Sequence, residues 1–293
     1  GLRWIVQRYP AVTCPFCGCG CGIYLVDCGD RHTKAVGMRC HPTSQGRLCV
    51  RGWQVGDLAT SPLQLRHPQI RRADALVQTS YETAVNTAAG MLRAAGGEVW
   101  VLGGAHLTNE EAFVTARLAA DGLKTPYRGC PARAADDAAV CWLERSLGEP
   151  YLHPPLDRLP DVDAVVVLHA TLVTQHPQAD AWVLRAQRAG ARLVVLDEVR
   201  RDLARAADLF VPLHPDGLER ALDFVGQGLR SGVAPEAVPA GGEREALAEM
   251  LQVLRQARRT AIVASMAALP EARVVRAAVD LAELVRGGQD VAE

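Results

Sequence analysis

The sequence predicts an α/β protein: a small cysteine-bearing module at residues 1–60, then a parallel-sheet region over 61–293. Short apolar runs such as Ala164-Val-Val-Val-Leu168 alternate with helical segments, and unbroken rather than alternating apolarity marks strands covered on both faces. The composition, 49% hydrophobic and 22% charged, is globular, and no apolar run approaches the roughly 18 residues that span a bilayer. Four of the nine cysteines stand within residues 14–21, ahead of the strand–helix pattern, and set the front of the chain apart.

In the module, Tyr24-Leu-Val26 and Ala35-Val36 fit short strands. Residues 61–78, with Pro62, Pro68 and the basic stretch Arg66 to Arg72, read as a solvated connector. The repeating pattern starts at Ser80. Residues 81–95 are amphipathic, and Glu98-Val-Trp-Val-Leu102 is a strand ending in Gly103-Gly104. That glycine pair lacks the spacing of a dinucleotide loop and reads as a tight turn. Thr108-Asn-Glu-Glu111 is a capping box that opens a helix over 109–120, and 135–147 reads as a further helix. Asp163–Leu168 is a buried strand, 178–188 a helix ending at Gly190, and Arg192–Asp197 another strand. A helix over 200–206, the strand Asp208-Leu-Phe-Val211 and a helix over 216–230 follow. The Pro/Gly/Ala-rich stretch 231–242 reads as a linker before a helix at 243–258, the strand Thr260-Ala-Ile-Val-Ala264 and a helix at 270–286. Strands regularly joined by helices make the larger region Rossmann-like.

The cysteines carry the chemistry. Cys14-Pro-Phe-Cys17-Gly-Cys19-Gly-Cys21-Gly is a strip whose glycines let the backbone wrap a metal, and thiolates are soft ligands. Cys49 stands alone after a gap of 27 residues from Cys21, within Gly46-Arg-Leu-Cys-Val-Arg-Gly52. Three early thiolates and one remote one suit a cubane iron–sulfur cluster held by Cys14, Cys17, Cys21 and Cys49. Zinc is the rival, but a zinc site usually pairs two separated Cys-x-x-Cys knuckles, and here the second is missing. Cys19 could replace a neighbour, and Cys40-His41 could supply a ligand instead. Cys28, Cys130 and Cys141 read as small buried residues. Nine cysteines in 293 residues fall far below a disulfide scaffold.

The net charge of −1 gives no electrostatic case for a nucleic-acid or membrane partner. Reduced thiols and a cluster favour the cytoplasm, and the start Gly1-Leu-Arg-Trp4 shows no secretory pattern. The missing initiator Met suggests that residues precede Gly1.

The spacing Cys14-x2-Cys17-x3-Cys21 followed by Cys49 resembles the N-terminal part of the molybdenum/tungsten bis-pterin oxidoreductases, especially the catalytic subunits of formate dehydrogenase. His41 through Cys49 is similar to the family's approach to its fourth cluster ligand, Ser61 through Arg72 to its basic connector, and Leu107-Thr-Asn-Glu-Glu111 to its asparagine–glutamate helix start. The resemblance implies one [4Fe-4S] cluster. It also implies a role for Arg51, at the place of the family's lysine between cluster and pterin, as a cofactor-side residue on the electron path. A guanidinium is not the geometric equivalent of an ammonium.

Other positions depart from the family. After Cys130-Pro-Ala-Arg133 the metal-ligand position falls at Ala135 and its histidine partner at Asp136, and neither side chain can do the original work. Cys130 or Cys141 is the alternative ligand in a shifted register. The family's G-x-N-x-x-E-x-H-P loop reads His169-Ala-Thr-Leu-Val-Thr-Gln-His-Pro177, with a side chain where glycine allowed close approach. Asp-Pro-Arg reads Asp197-Glu-Val-Arg200, and Pro-Gly-Thr-Asp reads Pro215-Asp-Gly-Leu218. His169 and His176 therefore read as structural, and Asp136-Asp137 as a solvated pair. Catalytic members also continue well past the length of this chain.

The resulting expectation is an electron-transfer iron–sulfur subunit of a multisubunit oxidoreductase, without molybdopterin and without catalytic residues of its own. Its partners would be redox subunits of a hydrogenase, formate dehydrogenase or complex I-like assembly. Two alternatives stand beside it. One is the pterin-binding half of a split formate dehydrogenase; the other is a non-catalytic scaffold, as in formyltransferase-type complexes.

Overall fold

The computed structural model describes residues 9–29, 33–104, 106–130, 144, 155–169, 171–200, 202–215, 217–232, 243–264 and 272–287. The helix expected at 135–147, the residues Ala135, Asp136, Asp137 and Cys141, and most of the expected linker lie outside them. The described residues fall into two compact units, drawn from 1–10, 24–36 and 51–134 and from 11–23, 37–50 and 135–293.

At the front, β1 (Ala11–Thr13), β2 (Gly22–Asp27) and β3 (Thr33–Gly37) form a three-stranded sheet in that order. Two short helices, α1 (Val50–Trp53) and α2 (Val55–Thr60), follow.

In the first unit, the stretch expected to be a bare connector contains a hairpin. β4 (Gln69–Arg72) pairs antiparallel with β5 (Ala75–Gln78), Gln69 opposite Gln78 and Arg72 opposite Ala75. The two-residue turn Ala73-Asp74 closes it, with Ala73 at φ 50° supplying the left-handed twist that tight hairpins require. Basic residues masked this strand pair in the sequence, because an edge hairpin needs little apolar patterning. Helix α3 (Tyr81–Ala94) is capped by Ser80, whose Oγ accepts the Thr83 N–H at 3.1 Å. Helix α4 (Asn109–Arg117) opens with the expected capping box. Thr108 Oγ1 accepts from Glu111 N at 3.2 Å, and Glu111 Oε2 accepts from Thr108 N at 2.8 Å. The strand expected at 98–102 shrinks to β6 (Val101–Leu102), paired in parallel with β7 (Arg128–Gly129). Thr125 Oγ1 donates to Val99 O at 2.8 Å and accepts from Tyr127 N, so a side chain replaces part of the expected ladder.

The second unit contains the parallel sheet. β8 (Ala164–Leu168), β9 (Arg192–Asp197), β10 (Leu209–Pro212) and β11 (Thr260–Ala264) lie in the order β10-β9-β8-β11, all parallel. The chain winds outward from β8 through β9 to β10, then returns to the other side of β8, so the switch point lies between β8 and β11. Val166 and Leu168 face one way, with Val194 and Leu196 of β9 beside them, onto helices α8 (Leu218–Ser231), α9 (Glu243–Gln256) and α10 (Ala272–Gly287). Leu222, Val225, Met250, Leu251 and Leu281 fill that layer. Val165 and Val167 are equally buried and point to the opposite face, which α6 (Pro177–Arg188) covers with Trp182, Val183 and Ala186. Two short helices, α5 (Leu172–Gln175) and α7 (Leu203–Ala206), sit in the connections, α7 being the remnant of the helix expected at 200–206.

Two aspartates bind backbone amides at one end of the sheet. Asp163 Oδ2 accepts the backbone N–H groups of Arg258 and Arg259, both at 2.9 Å, aligning β11 with β8. Asp208 Oδ2 accepts from Leu193 N at 2.8 Å and from Gln187 Nε2 at 3.2 Å, tying β9 to α6.

Candidate metal centre

The cysteine strip is a loop pinched at its base. Cys14 N donates to Cys21 O at 2.8 Å, so the four thiols between β1 and β2 leave one small arc. Within it, Gly20 N donates to Cys17 O at 3.2 Å, and Gly20 takes φ 57°, which a side chain would resist.

A second segment folds back on that loop. Met38 N donates to Gly22 O at 3.0 Å and Gly46 N to Met38 O at 2.9 Å. A Cβ at Gly37 would lie 2.2 Å from Gly46 O, so only glycine permits the return. Ser44, fully buried, donates from Oγ to Gly22 O at 3.5 Å. This fold carries Cys49 to the strip. His41 packs its ring where a Cβ of Gly22 would stand, 2.4 Å away, and its Nδ1 is buried with no hydrogen-bond partner.

A third element comes from far along the chain. Cys19 accepts hydrogen bonds from the backbone N–H groups of Ala179 and Gln178 in the first turn of α6. Those donors have no partner inside the helix, and the helix dipole puts partial positive charge there. A Cβ at Gly18 would lie 3.7 Å from His176 Nε2, which places that imidazole beside the strip. Lower on α6, Trp182 Nε1 donates to Thr43 O at 2.7 Å, the Arg185 guanidinium stacks 3.9 Å over the indole, and Arg185 Nη1 donates to Gln45 Oε1 at 3.3 Å. Burial and the neighbouring Arg47 lower the Arg185 pKa.

Cys14, Cys19 and Cys21 are buried, and Cys17 and Cys49 are half-buried. Burial, then the charges of Cys19, Cys14, Cys17 and Cys49, push the Cys21 thiol up to about 12. Burial likewise raises Cys19 to about 11, opposed by the Ala179 amide. Burial and the neighbouring thiols disfavour ionisation of Cys21 and Cys19; metal cations would reverse that balance by stabilising thiolates. Among the described residues no three His, Cys, Asp or Glu side chains converge as one bound ion requires. A four-iron cluster instead distributes its four thiolates over separate irons, and this donor set, with its glycine-lined cradle, fits one.

Cys40 is exposed, Cys28 donates to Val26 O at 3.6 Å, and Cys130 directly follows β7. Arg51 lies in α1, two positions after Cys49. His169 stands at the C-terminal end of β8 with φ 46°, and its Nε2 lies 3.8 Å from Glu198 Oε1. What the sequence reading missed is the part played by α6. The helix was expected over 178–188, and nothing local could show that its first turn meets Cys19.

Residues 10–60 match the family described as Molybdopterin oxidoreductase Fe4S4 domain. The F420-dependent formate dehydrogenase 1 subunit alpha of Methanococcus maripaludis is 28% identical over 203 residues, 69% of this chain and 30% of the relative. An assimilatory nitrate reductase of Haloferax mediterranei is 30% identical, over 72% of this chain and 30% of its own length. Formate dehydrogenase H of Escherichia coli is 28% identical, over 68% and 30%. The chain thus aligns with about 30% of the length of these relatives. Among solved structures, acetylene hydratase from Pelobacter acetylenicus superposes with a TM-score of 0.59 at 18% identity, over 90% of this chain and 38% of that one, which establishes a shared fold.

Proposed function

We propose, from a chain homologous to the N-terminal region of the molybdenum/tungsten oxidoreductases, that this protein is an electron-transfer iron–sulfur subunit whose pterin site has been lost. The observation that carries the reading is the gathering of Cys14, Cys17, Cys19 and Cys49 around Cys21. Cys14, Cys17, Cys21 and Cys49 hold the cluster. A [4Fe-4S] cluster bound there supplies one-electron transfer without side-chain acids or bases. The protein's own residues position and shield: Cys14 and Cys21 sit below a tenth exposure, Ser44 and Gly22 hold the return loop, and α6 braces it through Trp182. Arg51, two positions after Cys49 in sequence, is the cation on the electron path.

His169 supports loss of the pterin. In open parallel sheets ligands bind beyond the C-terminal strand ends at the switch point. There the imidazole occupies a glycine-favouring backbone position and lies close to Glu198, so a side chain stands where close backbone approach would be needed. The partners are other redox subunits of a hetero-oligomeric oxidoreductase, and reduced thiols favour a cytoplasmic setting. Among the described residues no helix is long and apolar enough to cross a membrane.

Metal analysis with low-temperature paramagnetic resonance of the purified complex tests this. About four irons per chain, and no molybdenum or tungsten, are expected. Stoichiometric pterin would select the split-enzyme reading, with Cys130 after β7 as the candidate ligand. A cluster that no partner can reduce or oxidise would select the scaffold reading.

A further inference from the structure

Two arginines from distant parts of the chain meet on one amide oxygen. Gln45 Oε1 accepts from Arg47 Nη1 at 3.4 Å and from Arg185 Nη1 at 3.3 Å, so two positive charges share a neutral acceptor. A third arginine, Arg39, lays its stem beside Gly46, where a Cβ would lie 3.0 Å from its Cγ. Among the described residues none of the three forms an ion pair. Like charges this close repel, and the fold holds them there nonetheless. Arg185 stacks 3.9 Å over the Trp182 indole, which is itself fixed by Thr43 O at 2.7 Å. Gln45 takes φ 46°, a left-handed position that costs a residue with a side chain. Its loop is tied on either side, by Gln45 N to His41 O at 2.9 Å and by Arg47 N to Ser44 O at 2.8 Å. The charge is also local. Residues 11–23 and 37–50 contain Arg39 and Arg47 and neither Asp nor Glu, on a chain whose net charge is −1.

We propose that Arg47 and Arg185, with Arg39 beside them, form a docking face for an acidic one-electron carrier protein, whose carboxylates complete the ion pairs that this chain leaves open. The inference rests on Cys49 being a cluster ligand. A guanidinium matches a carboxylate through two parallel N–H bonds, and each of the two keeps most of its donors after bonding Gln45. Arg47 is exposed and Arg185 half-buried, an open face that a protein surface can reach. Arg47 stands two positions before Cys49, so a carrier seated on it lies beside that ligand. In the exchange the reduced carrier loses one electron and the cluster gains it, with no bond made or broken. Charge complementarity of this kind speeds encounter and is screened by salt.

The test uses the iron-loaded full chain with a plant-type ferredoxin, an acidic carrier, as the probe and cytochrome c, a basic one, as the control. Calorimetry measures binding of the oxidised ferredoxin at rising salt, and stopped flow measures reduction of the chain by the reduced form. The proteins compared are the wild type, Arg47→Glu, Arg39→Glu, Arg47→Lys and Arg71→Glu, the last a reversal of equal size on β4. Ferredoxin should bind the wild type and weaken with salt, while cytochrome c should not bind. Arg47→Glu and Arg39→Glu should bind ferredoxin about tenfold more weakly and accept electrons more slowly, with the midpoint potential unmoved. Arg47→Lys, which keeps the charge, should recover most of the loss, and Arg71→Glu should change little. Absent or salt-independent ferredoxin binding overturns the inference, as do equal losses in Arg47→Glu and Arg71→Glu, which would reduce the effect to net charge. A moved potential with unchanged binding overturns it too, and makes the arginines counter-charges to the cluster. These outcomes leave the cluster reading intact. A wild-type chain without iron fails earlier, at the cluster on which the docking face depends.

Discussion

The indole nitrogen of Trp182 donates to the carbonyl oxygen of Thr43 at 2.7 Å, joining positions 139 residues apart. Through that bond the helix beneath the parallel sheet holds the segment that brings Cys49 to the other cysteines. Trp182 is 3% exposed, so both its packing and its N–H are committed. Trp182→Phe keeps most of the ring but strands the Thr43 carbonyl, at a cost of about 1–3 kcal/mol. Trp182→Ala opens a cavity and costs about 3–5 kcal/mol. Denaturant unfolding measures both, and iron retention should fall in the same order.

Four substitutions define the ligands. Cys14→Ser, Cys17→Ser, Cys21→Ser and Cys49→Ser should each lose most of the bound iron and the paramagnetic signal. Cys28→Ser and Cys40→Ser should keep both, since Cys28 bonds a backbone carbonyl and Cys40 is exposed. Iron retained in Cys49→Ser would contradict the ligand set.

Gly37→Ala should be as damaging as a ligand change. Its Cβ would meet a backbone oxygen, Gly46 O, at 2.2 Å, and a backbone atom cannot rotate aside. A destabilisation above about 3 kcal/mol, with loss of iron, is expected in unfolding and metal assays.

His169 occupies a left-handed backbone position at φ 46°. His169→Gly and His169→Ala both remove the imidazole, but only glycine accepts that conformation without strain. Glycine should therefore be the more stable of the two by about 1 kcal/mol. Equal melting temperatures would show that the backbone relaxes.

Asp180 carries a pH signature. Burial, then the neighbouring Asp202, raises its pKa above the ordinary value. The folded state then holds the proton more tightly than the unfolded one, so stability falls as pH rises from the unfolded toward the folded pKa. Above that window the penalty is constant; below it, absent. Asp180→Asn should raise the melting temperature at neutral pH, and the gain should vanish on acidification below the usual carboxylate range.

What the sequence determined by itself was local. Cysteine spacing, the Thr108–Glu111 capping box and the unbroken apolarity of β8 and β9 each express a preference set by residues a few positions apart. The β4–β5 hairpin escaped because a two-residue turn with alanine in the left-handed region carries no strong signal, and its strands are mostly polar. The site divided in the same way. The four ligand candidates were legible as soft donors at a set spacing, but Cys19 was ambiguous, and Gln178, Ala179 and Trp182 looked like ordinary helix residues. Only the tertiary structure decided that α6 turns its unpaired amides onto Cys19 and its indole onto Thr43. A hydrogen bond between residues more than a hundred positions apart depends on how the sheet and helices pack, and no local pattern encodes that distance.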